Sequence, residues 1–327
     1  MISSRTLSFD RLPHRFASFD LGSNSTLCLL LERQHEGPPR VLEDLSIITG
    51  LGRGLVPGGP LRPEAKQRLR SALQLMRARM DALGISEGIA LTTAAMREAS
   101  DGPSFAQELE ALLGVPVLII SGDEEASLTF LGQAWGGLPP GPMMLIDVGG
   151  RSTELLVGTL GDEHRPGTLH GRVSLPLGAI SGTERLLVGD PVSAENVQKL
   201  RALVRQMLEH VPFQPQGERL VGVAGTSLTL GAMGRGHEGL PWEEVELHGT
   251  ALRQETLEQV IDELQRRRIV ERMLMPGLPA ERAELVLGGA VVLSEGLRWS
   301  GARELLLSNW GLRHGGVWRL AGLLDSR

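Results

Sequence analysis

The feature that most constrains the fold is a short polar turn between apolar segments, which occurs once in each half of the chain. The first copy, Asp20–Ser25, lies between Phe16–Phe19 and Thr26–Leu31. The second, Asp147–Ser152, follows the apolar segment Met143–Ile146 and precedes another one. Both copies begin Asp-apolar-Gly-x-x-Ser. Their wide separation is typical of a duplicated domain rather than of a solenoid repeat.

Strands and helices alternate in both halves of the sequence. The first half has a predicted amphipathic helix over Pro63–Leu83 and a buried strand over Gly88–Thr93. This alternation predicts an α/β fold. The stretch Pro139–Pro142, directly before the second turn, is typical of a linker. We therefore predict two domains, residues 1–138 and 139–327, and we leave open that the C-terminal helix packs back on the first.

Composition and charge exclude several classes of protein. The net charge of -6 and the 3% of aromatic residues do not suit a nucleic-acid surface. The single cysteine, Cys28, excludes an intramolecular disulfide and a multi-cysteine zinc site. No apolar run reaches the ~18 residues of a membrane span, and Met1–His14 lacks the apolar core of a signal peptide. The sequence predicts a cytoplasmic protein without nucleic-acid or membrane partners.

The two turns contain groups that suit phosphate chemistry. Each one places an aspartate, Asp20 or Asp147, beside backbone N–H groups of small residues. Such N–H groups can cradle phosphate oxygens, and a carboxylate beside them can hold Mg²⁺ together with the phosphate. One such turn alone would indicate an ordinary hairpin. Two matched copies favour phosphate binding, although neither resembles a Walker loop because no Gly-Lys-Ser/Thr follows.

Other polar residues allow both a functional and a structural interpretation. Ser121 and Glu124 match a capping box at a helix start. Glu125, next to them, can act as a general base, or it can simply be favoured in the first helical turn by its interaction with the helix dipole. Arg97 can clamp phosphate or be an ordinary surface arginine. The small residues of Gly222–Ser227 suit either a phosphate turn or a tight strand-to-helix connection.

Together these segments resemble the exopolyphosphatase/guanosine pentaphosphate phosphatase (Ppx/GppA) family of the actin–sugar kinase–Hsp70 superfamily. The matching segments, in order, are Asp20–Ser25, Thr93–Ala99, Ile120–Ala126, Asp147–Glu154, Ser174–Ala179, Ala224–Thr226 and Ser308–Gly315. The resemblance therefore covers nearly the whole chain. It implies two ribonuclease H-like (actin-like ATPase) domains that flank an inter-domain cleft, in the short form of the family.

The resemblance also implies roles for individual residues. It assigns Glu125 as the base that activates water and Arg97 as its catalytic partner. It implies that Asp20, Asp147 and Glu154 hold Mg²⁺. The residues implied to bind substrate are Gly22, Ser23, Asn24, Ser25, Arg97, Gly149, Gly150, Arg151, Ser152, Gly225 and Thr226.

Some positions depart from the family pattern. Arg151 replaces the third glycine of the second turn, and Asn309 stands where the family usually has an aspartate. Gly50 occupies a position that is often basic, and Arg53 lies close enough in sequence to compensate. These changes concern efficiency and substrate choice rather than the fold.

The function implied is magnesium-dependent release of terminal orthophosphate from inorganic polyphosphate. Three alternatives use the same motifs. The first is hydrolysis of guanosine pentaphosphate. The second is a regulator that binds polyphosphate or an alarmone without turnover, which Arg151 and Asn309 allow. The third, a sugar kinase, is less favoured because the Glu124–Glu125 helix start suits water activation. A homodimer is a further expectation from the family.

Overall fold

A computed structural model of the chain describes residues 12–35, 39–135, 138–161, 167–237 and 247–325. The chain divides into two compact units. The first comprises Met1–Pro140, Leu160–Thr168 and Trp310–Arg327, and the second Gly141–Thr159 and Leu169–Asn309. The proline-rich linker is shorter than predicted, because a strand already begins at Gly141 and includes Pro142.

A five-stranded mixed sheet forms the centre of the first unit. Its elements are β1 (Arg15–Leu21), β2 (Ser25–Glu32), β3 (Arg40–Ile48), α1 (Pro63–Ala82), β4 (Gly88–Thr92), α2 (Ala94–Glu98), α3 (Gly102–Leu113), β5 (Val117–Ile119) and α4 (Gly122–Gly132). The strand order is β3-β2-β1-β4-β5. Strands β1, β2 and β3 pair antiparallel, whereas β4 runs parallel to both β1 and β5.

The second unit is built around a six-stranded sheet. Its elements are β6 (Gly141–Val148), β7 (Thr153–Leu160), β8 (Gly167–Leu175), α5 (Ala179–Leu186), α6 (Ala194–Glu209), β9 (Arg219–Val223), α7 (Ala224–His237), β10 (Ala251–Arg253), α8 (Gln254–Arg266), α9 (Ile269–Arg272), α10 (Val286–Ser300) and β11 (Glu304–Leu307). The final helix, α11 (Leu312–Asp325), is grouped with the first unit.

The two sheets have the same strand order. The second sheet reads β10-β11-β9-β6-β7-β8, so that β8-β7-β6-β9-β11 repeats the order β3-β2-β1-β4-β5, with β10 added at one edge. Strand β6 runs parallel to β9, and β9 to β11, as in the first sheet. The duplication predicted from the two turns is therefore a duplication of the whole topology, and the predicted α/β fold class is confirmed.

Apolar periodicity explains how the helices cover the sheets. Helix α1 begins with Pro63 and Glu64, which suit a helix start. Its buried Leu69 and Met76 share one core with Phe19 of β1. Strand β4 is buried along its whole length, as expected for a central strand with parallel neighbours. The core of the second unit is centred on α10, which is buried from Val286 to Leu297.

Two glycines allow a close crossing of helices α4 and α11. A Cβ at Gly315 would overlap the carbonyl oxygen of Leu128, and a Cβ at Gly132 would lie 2.8 Å from the carbonyl oxygen of Gly311. Only the missing side chains let these backbones approach. Both contacts lie in the C-terminal half of α4, at Leu128 and Gly132.

A buried ion-pair network holds helices of the second unit together. Glu295 of α10 is 1% exposed and lies 2.7 Å from Arg201 and 2.6 Å from Arg205, both on α6. Arg201 also pairs with Glu258 of α8 at 2.6 Å. Glu295 and Arg201 are buried, whereas Arg205 reaches the surface with 52% of its side chain exposed. Within the described ranges, no helix is both long and apolar enough to cross a membrane.

Candidate functional site

The first polar turn connects β1 to β2 and is closed by a backbone hydrogen bond. The N–H of Gly22 donates to the carbonyl oxygen of Ser25 at 3.0 Å. A Cβ at Gly22 would lie 2.9 Å from that oxygen, so the turn requires glycine. Asp20 is half-buried near the end of β1. The hairpin thus presents one carboxylate beside the small residues that follow it.

A neighbouring loop, residues 49–54, fixes the conformation of this turn. The carbonyl oxygen of Asn24 accepts from the N–H groups of Thr49 at 3.0 Å and Gly50 at 2.8 Å. The carbonyl oxygen of Ser23 accepts from Gly52 at 2.7 Å. The carbonyls therefore point into the protein. Because the side-chain oxygen Oδ1 of Asn24 is buried with no hydrogen-bond partner in the described part of the chain, it leaves an acceptor for a ligand.

Helix α2 connects the turn to Arg97 and Glu125. The N–H of Ala95 donates to Oγ of Ser23 at 3.2 Å. Two residues further along α2, Nη1 of Arg97 lies 3.3 Å from Oε2 of Glu125 and donates to the carbonyl oxygen of Ile120 at 2.8 Å. Glu125 is only 8% exposed. The structure therefore joins the first turn, Arg97 and Glu125 within one unit.

The position of Glu125 follows from the strand order. Strands β4 and β5 are parallel neighbours, so the residues after their carboxyl ends lie side by side, where α/β proteins usually bind ligands. Arg97 follows β4 and Glu125 follows β5. Oγ of Ser121 caps α4 by accepting from the N–H of Glu124 at 3.1 Å. This cap fixes the helix start that carries Glu125.

The predicted capping box forms only in part. The carboxylate of Glu124 pairs with Nε of Arg319 on α11 at 2.9 Å instead of completing the box. A charged partner on a packed neighbouring helix offers a stronger hydrogen bond than a backbone N–H. Glu124 thus pairs with a helix of the packed core, whereas Glu125 pairs with Arg97 of α2, the helix that is bonded to the first turn.

The second turn has the same backbone geometry as the first. The N–H of Gly149 donates to the carbonyl oxygen of Ser152 at 3.0 Å. The carbonyl oxygens of Gly149 and Gly150 accept from Ala179 at 2.9 Å and Ile180 at 2.6 Å, at the start of α5. Asp147 is half-buried near the end of β6. The sequence repeat is therefore also a repeat of hydrogen bonding.

The predicted small-residue turn at Gly222–Ser227 is a direct strand-to-helix junction. Helix α7 starts at Ala224, whose φ is 62°, an unusual value for a residue with a side chain. In the first turn of α7, Oγ1 of Thr226 donates to the carbonyl oxygen of Val148 at 2.7 Å. Gly225 and Thr226 thus lie beside the second turn, at a helix N-terminus that can bind an anion.

Two predicted residues of the second unit have partners inside the protein. Arg151 is 7% exposed, and its Nη1 lies 3.6 Å from Oε2 of Glu184. Glu154 is 1% exposed, and its Oε1 accepts from Oγ of Ser174 at 2.9 Å. Their roles toward substrate and metal stay predictions.

The donor set suits magnesium rather than a transition metal. Among the described residues, no group of three or more His, Cys, Asp or Glu side chains lies together as a metal site. Mg²⁺ does not need such a group, because one or two carboxylates plus phosphate oxygens and water suffice. Asp20 in the first unit and Asp147 in the second each offer one half-buried carboxylate, and their binding of magnesium stays a prediction.

Sequence reasoning singled out Arg53 near Gly50 but missed two other arginines, Arg62 and Arg282, that lie over glycines. The guanidinium of Arg282 lies where a Cβ of Gly225 would be, and that of Arg62 covers Gly54 in the same way. Arg53 packs over Gly50. In the pairs of Arg62 and Arg282 the arginine is distant in sequence from its glycine, so the sequence alone indicated only the glycines.

Comparison with known proteins tests the family resemblance. The sequence profile of the Ppx/GppA phosphatase family matches residues 31–323. An uncharacterised protein of Streptomyces coelicolor is 32% identical over 305 residues, which cover 92% of this chain and 88% of the relative. The family resemblance inferred from the motifs is confirmed.

Solved structures share the fold over nearly the whole chain. An exopolyphosphatase-like protein has 26% identity and a TM-score of 0.82, covering 95% of this chain and 97% of its own. An exopolyphosphatase from Cytophaga hutchinsonii has 22% identity and a TM-score of 0.82, with 95% and 98% covered. The Aquifex aeolicus Ppx/GppA enzyme has 24% identity and a TM-score of 0.74, with 95% and 99% covered. With its duplicated turns and its matching profile, the chain belongs to the Ppx/GppA phosphatase family.

Proposed function

We propose that the chain is a magnesium-dependent exopolyphosphatase, which releases terminal orthophosphate from inorganic polyphosphate. The observation that supports this most is the contact of Arg97 with Glu125 beside the first turn. A carboxylate at this place can take a proton from water, and the guanidinium next to it can balance the charge of a phosphoryl group. The exopolyphosphatase-like relatives support the same substrate class.

In this proposal the backbone of each turn binds phosphate. The first turn uses Gly22, Ser23, Asn24 and Ser25, while Gly149, Gly150, Arg151 and Ser152 do the same in the second unit, assisted by Gly225 and Thr226. Because the carbonyls of Ser23 and Asn24 accept hydrogen bonds within the protein, phosphate oxygens meet N–H donors instead. The turns are held by the protein itself, so little reorganisation is needed on binding.

Glu125 takes one proton from a water molecule as the water oxygen bonds to the terminal phosphorus. The bond from that phosphorus to the bridging oxygen breaks, and the shortened chain leaves with the bridging oxygen as a phosphate oxygen. Arg97 stabilises the negative charge on the transferred group. Magnesium, when bound, withdraws charge from the phosphate oxygens, and Asp20 and Asp147 are its proposed ligands, with Glu154 as a further candidate.

The experiment measures phosphate release from long-chain polyphosphate, guanosine pentaphosphate and ATP, with and without magnesium. Wild-type protein should release phosphate fastest from polyphosphate, and removal of magnesium by a chelator should stop the reaction. Glu125→Gln should lower kcat by about 10²–10⁴-fold. Glu124→Gln is the matched control, because it neutralises the adjacent carboxylate, which pairs with Arg319.

Each other outcome contradicts one part of the proposal. Full activity of Glu125→Gln would reject Glu125 as the base. Turnover of guanosine pentaphosphate without turnover of polyphosphate would reject the substrate. Tight binding of polyphosphate by the wild-type protein without any release would indicate a binding protein rather than an enzyme.

A further inference from the structure

Two glycines in the loop at residues 49–54 make room for arginine side chains. Gly50 and Gly54 have φ values of 59° and 65°, in the left-handed region. A Cβ at Gly50 would lie 2.9 Å from Cδ of Arg53, and a Cβ at Gly54 would overlap the guanidinium of Arg62. Arg53 therefore fills the space that a side chain at position 50 would occupy, and Arg62 lies on the backbone at position 54.

The same loop is bonded directly to the first turn. Its N–H groups at Gly50 and Gly52 donate to the carbonyl oxygens of Asn24 and Ser23. Nε of Arg68, on α1, donates to the carbonyl oxygen of Thr49 at 2.7 Å and holds the loop from the other side. The loop that carries Arg53, and on which Arg62 packs at Gly54, is thus fixed next to the proposed phosphate-binding backbone.

The positive charge of Arg62 is available to a ligand. Arg62 is exposed, and it forms neither an ion pair nor a side-chain hydrogen bond within the described ranges. The nearest lysine in sequence, Lys66, differs, because its Nζ lies 2.5 Å from Oδ2 of Asp101. A guanidinium without an acidic partner, packed on a loop that is bonded to the proposed phosphate turn, favours a further anionic group.

We propose that Arg53 and Arg62 bind phosphate groups of the substrate beyond the terminal one. This inference rests on the proposed function, in which the first turn takes the terminal phosphoryl. A polyphosphate carries a negative charge on every unit, so the next units meet the two guanidinium groups. The affinity that the arginines contribute then increases with the number of phosphates in the substrate. They therefore favour a phosphate chain over a substrate with a single phosphate.

Two pairs of variants test this inference. Arg62→Gln removes the proposed contact, and Arg79→Gln removes the same charge from the other end of α1. Gly54→Ala displaces Arg62, whereas Gly84→Ala introduces the same backbone strain with no atom nearby, since Gly84 has a φ of 67°. Arg79 pairs with Glu43 at the surface, and because exposed ion pairs add little stability, the two variants of each pair should fold alike.

Binding is measured with long-chain polyphosphate in a Glu125→Gln background, so that turnover does not interfere. Arg62→Gln and Gly54→Ala should weaken binding by about tenfold and lower the slope of log K against log salt by about one. Arg79→Gln and Gly84→Ala should change neither quantity. In the active protein, KM for long chains should rise more than KM for tripolyphosphate, with kcat unchanged.

The inference and the proposed function can fail separately. If Arg62→Gln binds polyphosphate as Arg79→Gln does, Arg62 is not a phosphate ligand, whatever the activity of the protein. If the wild-type protein releases no phosphate but Arg62→Gln weakens binding as expected, the polyphosphate site stands and the hydrolase does not. A KM change of equal size for short and long chains would also overturn the inference.

Discussion

The crossing of α4 and α11 makes Gly315→Ala the most informative packing variant. The new Cβ would overlap the carbonyl oxygen of Leu128, which is backbone and cannot rotate away. That Cβ would lie 1.9 Å from the oxygen, whereas ordinary contact begins at 3.4 Å, so the two helices must separate by about 1.5 Å in a close-packed interior. Leu128 lies one helical turn from Glu125, and the movement should therefore reach the proposed base.

Two opposing effects set the expected magnitude. Replacing a helical glycine by alanine stabilises the helix by roughly 0.5–1 kcal/mol. Overpacking a core costs about 1–3 kcal/mol, and here it outweighs the gain because the obstacle is backbone. We expect Gly315→Ala to lower the free energy of unfolding by about 1–2 kcal/mol and kcat for phosphate release by at least about tenfold, since 1 Å at a reacting group can cost ~10²-fold.

Urea unfolding and phosphate release test this expectation against a matched control. Gly311→Ala makes the same change directly before α11, where a Cβ meets no atom within 4 Å. It should be at least as stable as the wild-type protein and fully active. If Gly315→Ala is as stable as Gly311→Ala, the close crossing of α4 and α11 is not present in solution.

Three further predictions concern other parts of the chain. Burial opposes ionisation of Glu295, but hydrogen bonds from Arg205 and Arg201 outweigh it and hold its pKa below the usual range. The contribution of Glu295 to the free energy of unfolding should therefore be complete above about pH 4.3 and be lost as the pH falls below it. Glu295→Gln should lower the free energy of unfolding by about 3–5 kcal/mol at pH 7 and reduce its loss in acid. An unchanged dependence of stability on acid pH in this variant would contradict the network. Ala224→Gly should raise the free energy of unfolding by up to about 1 kcal/mol because glycine accepts the positive φ; thermal unfolding checks this, and destabilisation would contradict it. Burial, together with the Asp44 carboxylate, raises the pKa of the Cys28 thiol. A thiol reagent should therefore label Cys28 only after the protein unfolds. Rapid labelling of the native protein would refute the buried position.

The sequence predicted the parts of the fold that have strong local signals. The apolar segments around both turns are β1, β2, β6 and β7, and the predicted helix at Pro63–Leu83 is α1 with an end shifted by one residue. The strands are buried over most of their length, and α1 is buried along one face, so the apolar residues of each segment suffice to predict it.

Other elements depend on neighbours that the sequence does not reveal. Helix α7 is rich in glycine and has weak helix propensity, but Gly231 is needed where Leu307 packs against it. Strand β3 lies at a sheet edge and has no fully buried residue, so its sequence lacks a clear apolar pattern. The apolar pattern of Glu281–Arg298 also predicts a helix, but α10 begins only at Val286 because a short 3₁₀ turn at Ala280–Arg282 precedes it.

The sequence predicted which residues form the candidate site but not which of them contact one another. The motifs located Asp20, Arg97 and Glu125, yet the direct pairing of Arg97 with Glu125 depends on the parallel pairing of β4 and β5. Tertiary contacts also explain why Glu124 pairs with Arg319 rather than completing a capping box. Long-range partners of this kind have no signature in a single sequence.

The most direct test of the account is phosphate release in ¹⁸O-labelled water, with long-chain polyphosphate and magnesium. We expect the released orthophosphate to carry a single oxygen from water, and its rate of release to depend on the concentration of chain ends. This rate should be almost lost in Glu125→Gln and kept in Glu124→Gln. Released phosphate without the label, or equal loss of activity in both variants, would contradict water attack directed by Glu125.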